Sequence, residues 1–224
     1  MNFIRAQQNY DDPNSLASRF RRARMRHVTA LIQAIHAERG ACRIVDLGGR
    51  PDYWRAIDRS LLEACKVTIT TVNLEPQAPV DDPMFDQRVG DALAFDAADN
   101  AFDLAHSNSV VEHVGDWPQM ERFAAETARL ASRYYVQTPY FWFPIEPHFS
   151  APFFHWLPEA VRARKLMRRP LGFAPQAADM AQAMRLVQHA RLLDRGMMAQ
   201  LFPDAAIEAE TVGPLIKSLM AIRR

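Results

Sequence analysis

Short, dense apolar runs alternate along this chain with longer polar-and-apolar stretches of helical period. Arg43–Leu47, Val67–Leu74, Gln87–Gly90, Phe102–His106 and Arg133–Gln137 read as strands, the last broken by Thr138-Pro139. Between them, Pro51–Asp58 reads as a short helix and Pro79–Met84 as a loop. Trp117–Ala131 reads as a helix capped by Asp116, with Gln119 three residues on as in a capping box. Ahead of the first strand, Asn14 or Ser15 can cap a helix running to Arg39, with Gly40 as its stop. Its apolar positions Leu16, Phe20, Ala23, Leu31 and Ile35 fall at helical steps, and Arg19, Arg22 and Arg26 gather opposite them. That pattern fits a helix packed on the domain with a solvated basic face. Regular alternation of strand and helix through residue 138 predicts a doubly wound, Rossmann-like parallel sheet.

The texture changes at Pro139. The run to Pro158, crowded with prolines and aromatics, can be neither an interior strand nor a regular helix. A basic helix over Glu159–Arg169, a loop, a helix from Ala177 and a short helix capped by Asp194 follow. The chain ends on Ala206–Val212 and Ile216–Ile222, joined at Gly213-Pro214, which predicts an antiparallel strand pair at the sheet edge. The expected organisation is therefore a helical cap over residues 1–40 and one catalytic-size domain over 41–224, with 139–193 inserted after the fifth strand. At 224 residues a single sizeable core is expected, and a net charge of +1 gives no general reason to expect nucleic acid as a partner. Cys42 and Cys65 are the only cysteines, too few for a disulfide framework, so a cytoplasmic setting is expected. No run approaches the ~20 apolar residues of a spanning helix, and the first residues lack the apolar core of a signal peptide. The composition leaves oligomeric state open.

Candidate chemistry begins at the end of the first strand. In Asp46-Leu47-Gly48-Gly49-Arg50-Pro51 a carboxylate precedes two glycines that can take φ > 0 and let backbone approach a ligand. The Gly-x-Gly-x-x-Gly phosphate fingerprint is absent: Arg50 stands two residues after Gly48, and acidic Asp52 sits where a pyrophosphate would need amide donors. A ligand without phosphates fits better than a dinucleotide. At the end of the second strand, Asn73 or Glu75 can reach ribose hydroxyls. Asp91, after the third, is suited to accept a hydrogen bond from an exocyclic amine such as that of adenine.

Four stretches carry a family resemblance in order and spacing: VDLGG at 45–49, VNLEP at 72–76, GDA at 90–92 and FDLAHSNSVVEHV at 102–114. On these the chain resembles the class I S-adenosylmethionine-dependent methyltransferases, in particular their small-molecule type 11 branch. The resemblance implies a seven-stranded sheet of order 3-2-1-4-5-7-6 with an antiparallel last strand, and S-adenosylmethionine as cofactor. It implies that Asp46, Gly48 and Gly49 cradle the methionine and ribose parts, that Asn73 or Glu75 holds the ribose, and that Asp91 with the backbone of Ala92 holds adenine. Asn108 begins the stretch lining the methionine side. The acceptor implied is a small molecule, partly apolar.

Methyl transfer from a sulfonium is a direct displacement that needs a general base only when the acceptor must lose a proton. His148, His113 and Glu146 are the candidates. Glu112 and His113 follow the fourth strand, Glu146-Pro147-His148 lies beyond the fifth, and both are at the ligand edge. His155 is a further imidazole in the same aromatic segment, whose rings suggest an apolar wall over the site. Neither His113, Glu146, His148 nor His155 sits at the paired spacing of a helical metal motif, so no metal is expected. Two other readings remain: a non-catalytic cofactor-binding protein of the same fold, and a nicotinamide oxidoreductase, which the missing fingerprint weakens.

Overall fold

The structure, a computed structural model, describes residues 16–224; the expected caps at Asn14 and Ser15 lie outside them. Helix α1 (Leu16–Arg39) precedes strand β1 (Cys42–Leu47), a 3-10 turn (Pro51–Ala56), α2 (Arg59–Ala64), β2 (Val67–Asn73) and β3 (Phe85–Val89). Next come β4 (Leu104–Asn108), a 3-10 turn (Val111–His113), α3 (Trp117–Leu130) and β5 (Tyr134–Pro139). The inserted region holds the two-residue strands β6 (Ile145–Glu146) and β7 (Ala151–Pro152), a 3-10 turn (Phe154–Trp156), α4 (Glu159–Arg168) and α5 (Met180–Gln188). The chain closes with α6 (Arg195–Leu201), β8 (Ala206–Val212) and β9 (Leu215–Arg223).

The seven long strands form one sheet in the order β3-β2-β1-β4-β5-β9-β8. The first five are parallel, and β9 runs antiparallel to both β5 and β8. This is the expected order with the expected reversed last strand. Period-two alternation splits the core between the two faces. Ile44, Ile69, Leu104 and Tyr135 pack under α1 and the Pro51 turn with Met25, Val28, Ile32, Ile35 and Trp54. Val45, Val72, Ala105 and Tyr134 face the other way onto Met120, Phe123 and Leu130 of α3 and Met198 of α6. A third, separate apolar cluster, Phe149, Phe154, Leu166, Leu171 and Val187 among its members, belongs to the inserted region. No described helix is long and apolar enough to cross a membrane.

Several boundaries differ from the sequence pattern for local reasons. Helix α2 is too short to show a period; Asp58 caps it by accepting from the Ser60 amide at 2.9 Å. Strand β5 does not break at Thr138-Pro139 but continues through it, pairing Pro139 with Ser218 of β9. Proline is tolerated there because pairing with β4 has already ended at Gln137, so its missing N–H leaves no ladder bond unmade. Helix α5 starts later than Ala177 because Asp179 caps it, accepting from the Gln182 amide at 2.7 Å. On α1 the buried stripe takes in Met25, Val28 and Ile32 as well as Leu31 and Ile35, and Arg19, Arg22 and Arg26 are exposed.

Two carboxylates strap α1 to the sheet. Arg24 pairs with Glu210 of β8 at 2.9 Å, and both are buried. Asp103, just before β4, accepts from Arg39 Nη1 at 2.7 Å and from the Arg43 amide at 2.8 Å. Burial alone would raise the Asp103 carboxyl, but the Arg43 hydrogen bonds and the charges of Arg43 and Arg39 outweigh it and hold it below the usual range. A depressed carboxyl stabilises the fold above its unfolded value and loses that contribution as pH falls through its folded one. Asp103→Asn is therefore expected to cost about 1–2 kcal/mol at pH 7, the arginines being half exposed to solvent. The deficit should shrink as the pH of urea melts is taken well below about 4, the unfolded aspartate value. A deficit unchanged at acid pH would show that the charge of Asp103 is not what matters.

Candidate active site

The ends of β2, β1 and β4 bring Asn73, Leu47 and Asn108 to one edge of the sheet, with the β3 end beside them. The turn after β1 is closed on itself. Gly48 has φ +71°, and a Cβ there would stand 2.5 Å from Val110 Cγ2. Gly49 has ordinary φ, contrary to the expectation of two left-handed glycines. It is required for space, because a Cβ would fall 1.8 Å from Asp46 Oδ2. Both turn amides are spent inside the protein: Gly48 N–H donates to Val72 O at 2.8 Å and Gly49 N–H to Asp46 O at 3.3 Å.

Asp46 is 1% exposed. Trp54 Nε1 donates to its Oδ2 at 2.7 Å, and His106 Nδ1 meets its Oδ1 at 2.6 Å. The His106 ring lies flat against Tyr135, 5.6 Å between centroids, and 5.0 Å from Trp54. The carboxylate expected to face the ligand is thus the floor of the turn, holding it from below. His106 was not among the expected site residues; the strand motif FDLAH contains it but gives no sign that its ring turns to Asp46.

Asn73 also braces the turn, its Nδ2 donating to Gly49 O at 2.9 Å, while Glu75 is exposed. Asp91 is exposed one residue beyond Gly90, and its Oδ1 accepts from the Leu93 amide at 2.9 Å. Ala92 beside it packs partly on the second core face. Asn108 Oδ1 accepts from the Tyr53 hydroxyl at 2.9 Å, tying the end of β4 to the Pro51 turn.

Next to this edge three chain segments converge. The Val111–His113 turn follows Val110, whose side chain lies on Gly48. Glu146, 2% exposed, accepts from the Phe149 amide at 2.6 Å and holds His148 Nδ1 at 2.6 Å. His148 Nε2 faces His113 Nε2 at 3.1 Å, and His113 Nδ1 donates to the His189 carbonyl at 3.0 Å. Glu112, 1% exposed, accepts from Thr138 Oγ1 at 2.9 Å through Oε2, while its Oε1 is buried without a partner. Burial pushes the Glu112 carboxyl up to about 7. Burial, then the neighbouring His148, pushes His113 down to about 4. For His148 burial also works downward, but the Glu146 hydrogen bond and the charges of Glu146 and Glu112 outweigh it and raise the ring above its usual value.

The structure therefore brings His113, Glu146 and His148 together and adds Glu112 and the His189 carbonyl to them. His155 is elsewhere, its Nε2 on the Phe141 carbonyl at 2.7 Å. The aromatic segment divides: Phe149 and Phe154 fill the third cluster, whereas Trp142, Phe153 and Trp156 are exposed. Nothing in the local sequence around His189 announces its carbonyl contact.

Residues 55–133 match the family model of a methyltransferase domain, and this stretch contains β2, β3, β4 and the Val111–His113 turn. The match covers about a third of the chain, and the sheet order around it is the one expected of a class I S-adenosylmethionine-dependent methyltransferase fold. S-adenosylmethionine is the cofactor of such a domain. Among proteins of curated function, none matches this sequence. Solved structures share the fold at low identity. The PH0226 protein of Pyrococcus horikoshii OT3 is 14% identical over 99% of this chain and 97% of its own, with a TM-score of 0.52. The 1,6-didemethyltoxoflavin-N1-methyltransferase of Burkholderia thailandensis is 14% identical over 99% and 85%, with a TM-score of 0.50. A Galdieria sulphuraria protein assigned as a sarcosine dimethylglycine methyltransferase is 15% identical at a TM-score of 0.46; the match covers 82% of this chain and 62% of that one.

The turn after β1 yields a direct test. Gly49→Ala must displace the Asp46 carboxylate from Trp54 and His106, so a loss of about 1–3 kcal/mol is expected by thermal or urea unfolding. Cofactor affinity, measured by calorimetry on the variant still folded, should fall with it. Wild-type stability and affinity in the variant would contradict this account of the turn.

Proposed function

We propose that the protein transfers the methyl group of S-adenosylmethionine to a small-molecule acceptor bound against the Glu112, His113, Glu146 and His148 cluster. The observation that carries the proposal is the spent pair of turn amides beside that cluster. With Gly48 and Gly49 N–H both donating inward, a pyrophosphate would find neither glycine amide free to donate, and it would meet the exposed carboxylates of Asp52, Glu75 and Asp91. A sulfonium cofactor carries positive charge and no phosphate, so the same edge suits it. In this reading Asp91 accepts from the adenine amine, with the Ala92 backbone beside the ring. Glu75 reaches the ribose, Asn73 being committed to Gly49. Gly48, Gly49 and Asn108 border the methionine part, and Asp46 supports them from below.

The acceptor lies on the Val111–His113 side, because Val110 joins the turn to the cluster. Holding acceptor, methyl and sulfur in line supplies about 7–11 kcal/mol of the barrier, the range for positioned reactants. His148, its ring fixed through Nδ1 by Glu146, takes the acceptor's proton at Nε2, and His113, kept neutral by burial, supports it. Cys42 and Cys65 are free buried thiols, which supports a cytoplasmic setting.

Calorimetric titration with S-adenosylmethionine against NAD tests the cofactor, and S-adenosylhomocysteine release with a panel of candidate acceptors tests catalysis. Cofactor binding with no turnover on any acceptor would favour a binding protein. Asp91→Ala is expected to weaken cofactor binding by about 1–3 kcal/mol. A cofactor analogue lacking the adenine amine should lose affinity for the wild type but scarcely for that variant. His148→Ala should leave cofactor affinity intact and slow transfer by ~10²–10⁴-fold. Full turnover in this variant would move the acceptor away from the cluster.

A further inference from the structure

We infer that Glu112 Oε1, His113 Nε2 and His148 Nε2 form a binding site for a divalent cation of the zinc type, with an open position toward the acceptor. The inference rests on the reading of this cluster as the acceptor side of a methyltransferase, and it changes how the acceptor's proton is removed.

Tautomers carry the argument. The His189 carbonyl can only accept, so His113 bears its hydrogen on Nδ1 and presents a bare lone pair at Nε2. Glu146 does the same to His148 by accepting from its Nδ1 at 2.6 Å. Two neutral rings fixed in this way would bring two bare nitrogens to 3.1 Å with no hydrogen between them. That arrangement is repulsive unless a cation or a proton stands between them. Zinc holds imidazole nitrogen at about 2.0–2.1 Å, so two rings on one tetrahedral ion place their nitrogens about 3.3 Å apart. The ring centroids are 4.8 Å apart at 88°, and the two Nε2 atoms approach at an angle rather than head-on.

The third donor is independent of the histidines. Glu112 Oε1 is buried without a hydrogen-bond partner, an expensive state for a carboxylate oxygen. Glu112 belongs with His113 and His148 to a group in which one donor atom from each residue lies within 4.8 Å of the others. The supporting contacts are those that orient metal ligands: a carboxylate behind one imidazole, a backbone carbonyl behind the other, and a hydroxyl on the second oxygen of the glutamate. His148 remains a quarter exposed, which leaves a way in for the ion. Two imidazoles and one carboxylate suit a borderline cation such as zinc better than magnesium, which prefers oxygen ligands. Three protein ligands leave a coordination position free.

An acceptor that fills this position carries an ionisable hydroxyl. Bound to the cation, it releases its proton to solvent. The oxygen lone pair then forms the bond to the methyl carbon, the carbon–sulfur bond breaks, and its electron pair returns to sulfur as neutral S-adenosylhomocysteine. With the ion present, His148 serves as ligand rather than base.

The experiment uses the full-length protein stripped with chelator, with thermal melts to confirm that each variant is folded. Zn²⁺ is titrated by calorimetry and Co²⁺ by its visible absorption, which reports coordination number without any turnover. One ion per chain is expected, with an intense tetrahedral-type cobalt spectrum. Binding should be lost in His113→Gln and in His148→Gln. In Glu146→Gln, which leaves all three ligands in place but frees the His148 ring, it should weaken by about 10–100-fold. His155→Gln and His189→Gln should bind as wild type. No stoichiometric Zn²⁺ binding, or binding indifferent to both His113→Gln and His148→Gln, overturns the inference. S-adenosylmethionine titration of the same stripped protein is read separately. Cofactor binding and full turnover without metal would sink the cation site and leave the methyltransferase reading standing. Cation binding without any cofactor binding would do the reverse.

Discussion

A buried carboxylate under a glycine sets the geometry of the whole ligand edge. Asp46 ends up inside the sheet at a depth where an unsatisfied charge is expensive, and it is kept there by the Trp54 indole and the His106 imidazole. Each of these donors brings another element with it. Trp54 anchors the Pro51 turn, and His106 comes from the neighbouring strand β4 and stacks on Tyr135 of β5. Because the carboxylate fills the space above itself, position 49 admits only glycine, and because Val110 presses on Gly48, the next turn along is fixed to the first. The turn after β1 and the turn after β4 are thereby built as one piece.

The Glu112, His113, Glu146 and His148 cluster is assembled on different physics. Its four side chains come from the Val111–His113 turn and from the Glu146–His148 corner, and the carbonyl of a fifth residue, His189, arrives from after α5. Burial pulls Glu112 and His113 toward their neutral forms, while Glu146 opposes it at His148. Neighbouring groups with ionisation preferences driven apart in this way are characteristic of sites that move protons or hold cations. The inserted region supplies Glu146 and His148 and packs an apolar core of its own.

Much of this was legible in the chain. Strand runs, the turn after β1, the Asp116 capping box and the closing hairpin follow from periodicity and from glycine and proline placement, which act over a few residues. The motifs at 45–49, 72–76, 90–92 and 102–114 pointed to the sheet order and to the cofactor. They did so through the family resemblance they carry, while the parallel strands account for their meeting at one edge. His113, Glu146 and His148 were legible as candidates for the same reason: each follows a strand at that edge.

What the sequence determined, then, is whatever depends on spacing along the chain: element type, strand direction, and which residues stand at the ligand edge. Only tertiary structure decided which way the polar side chains turn. Asp46 and Asn73 look like ligand groups in sequence, yet they face Trp54, His106 and Gly49, because a buried carboxylate and a turn carbonyl must find donors from wherever the fold brings them. Gly49 is required by an atom three residues back rather than by its own φ. The unpartnered oxygen of Glu112 and the facing nitrogens of His113 and His148 arise from segments 35 residues apart, and no local pattern encodes a meeting at that distance.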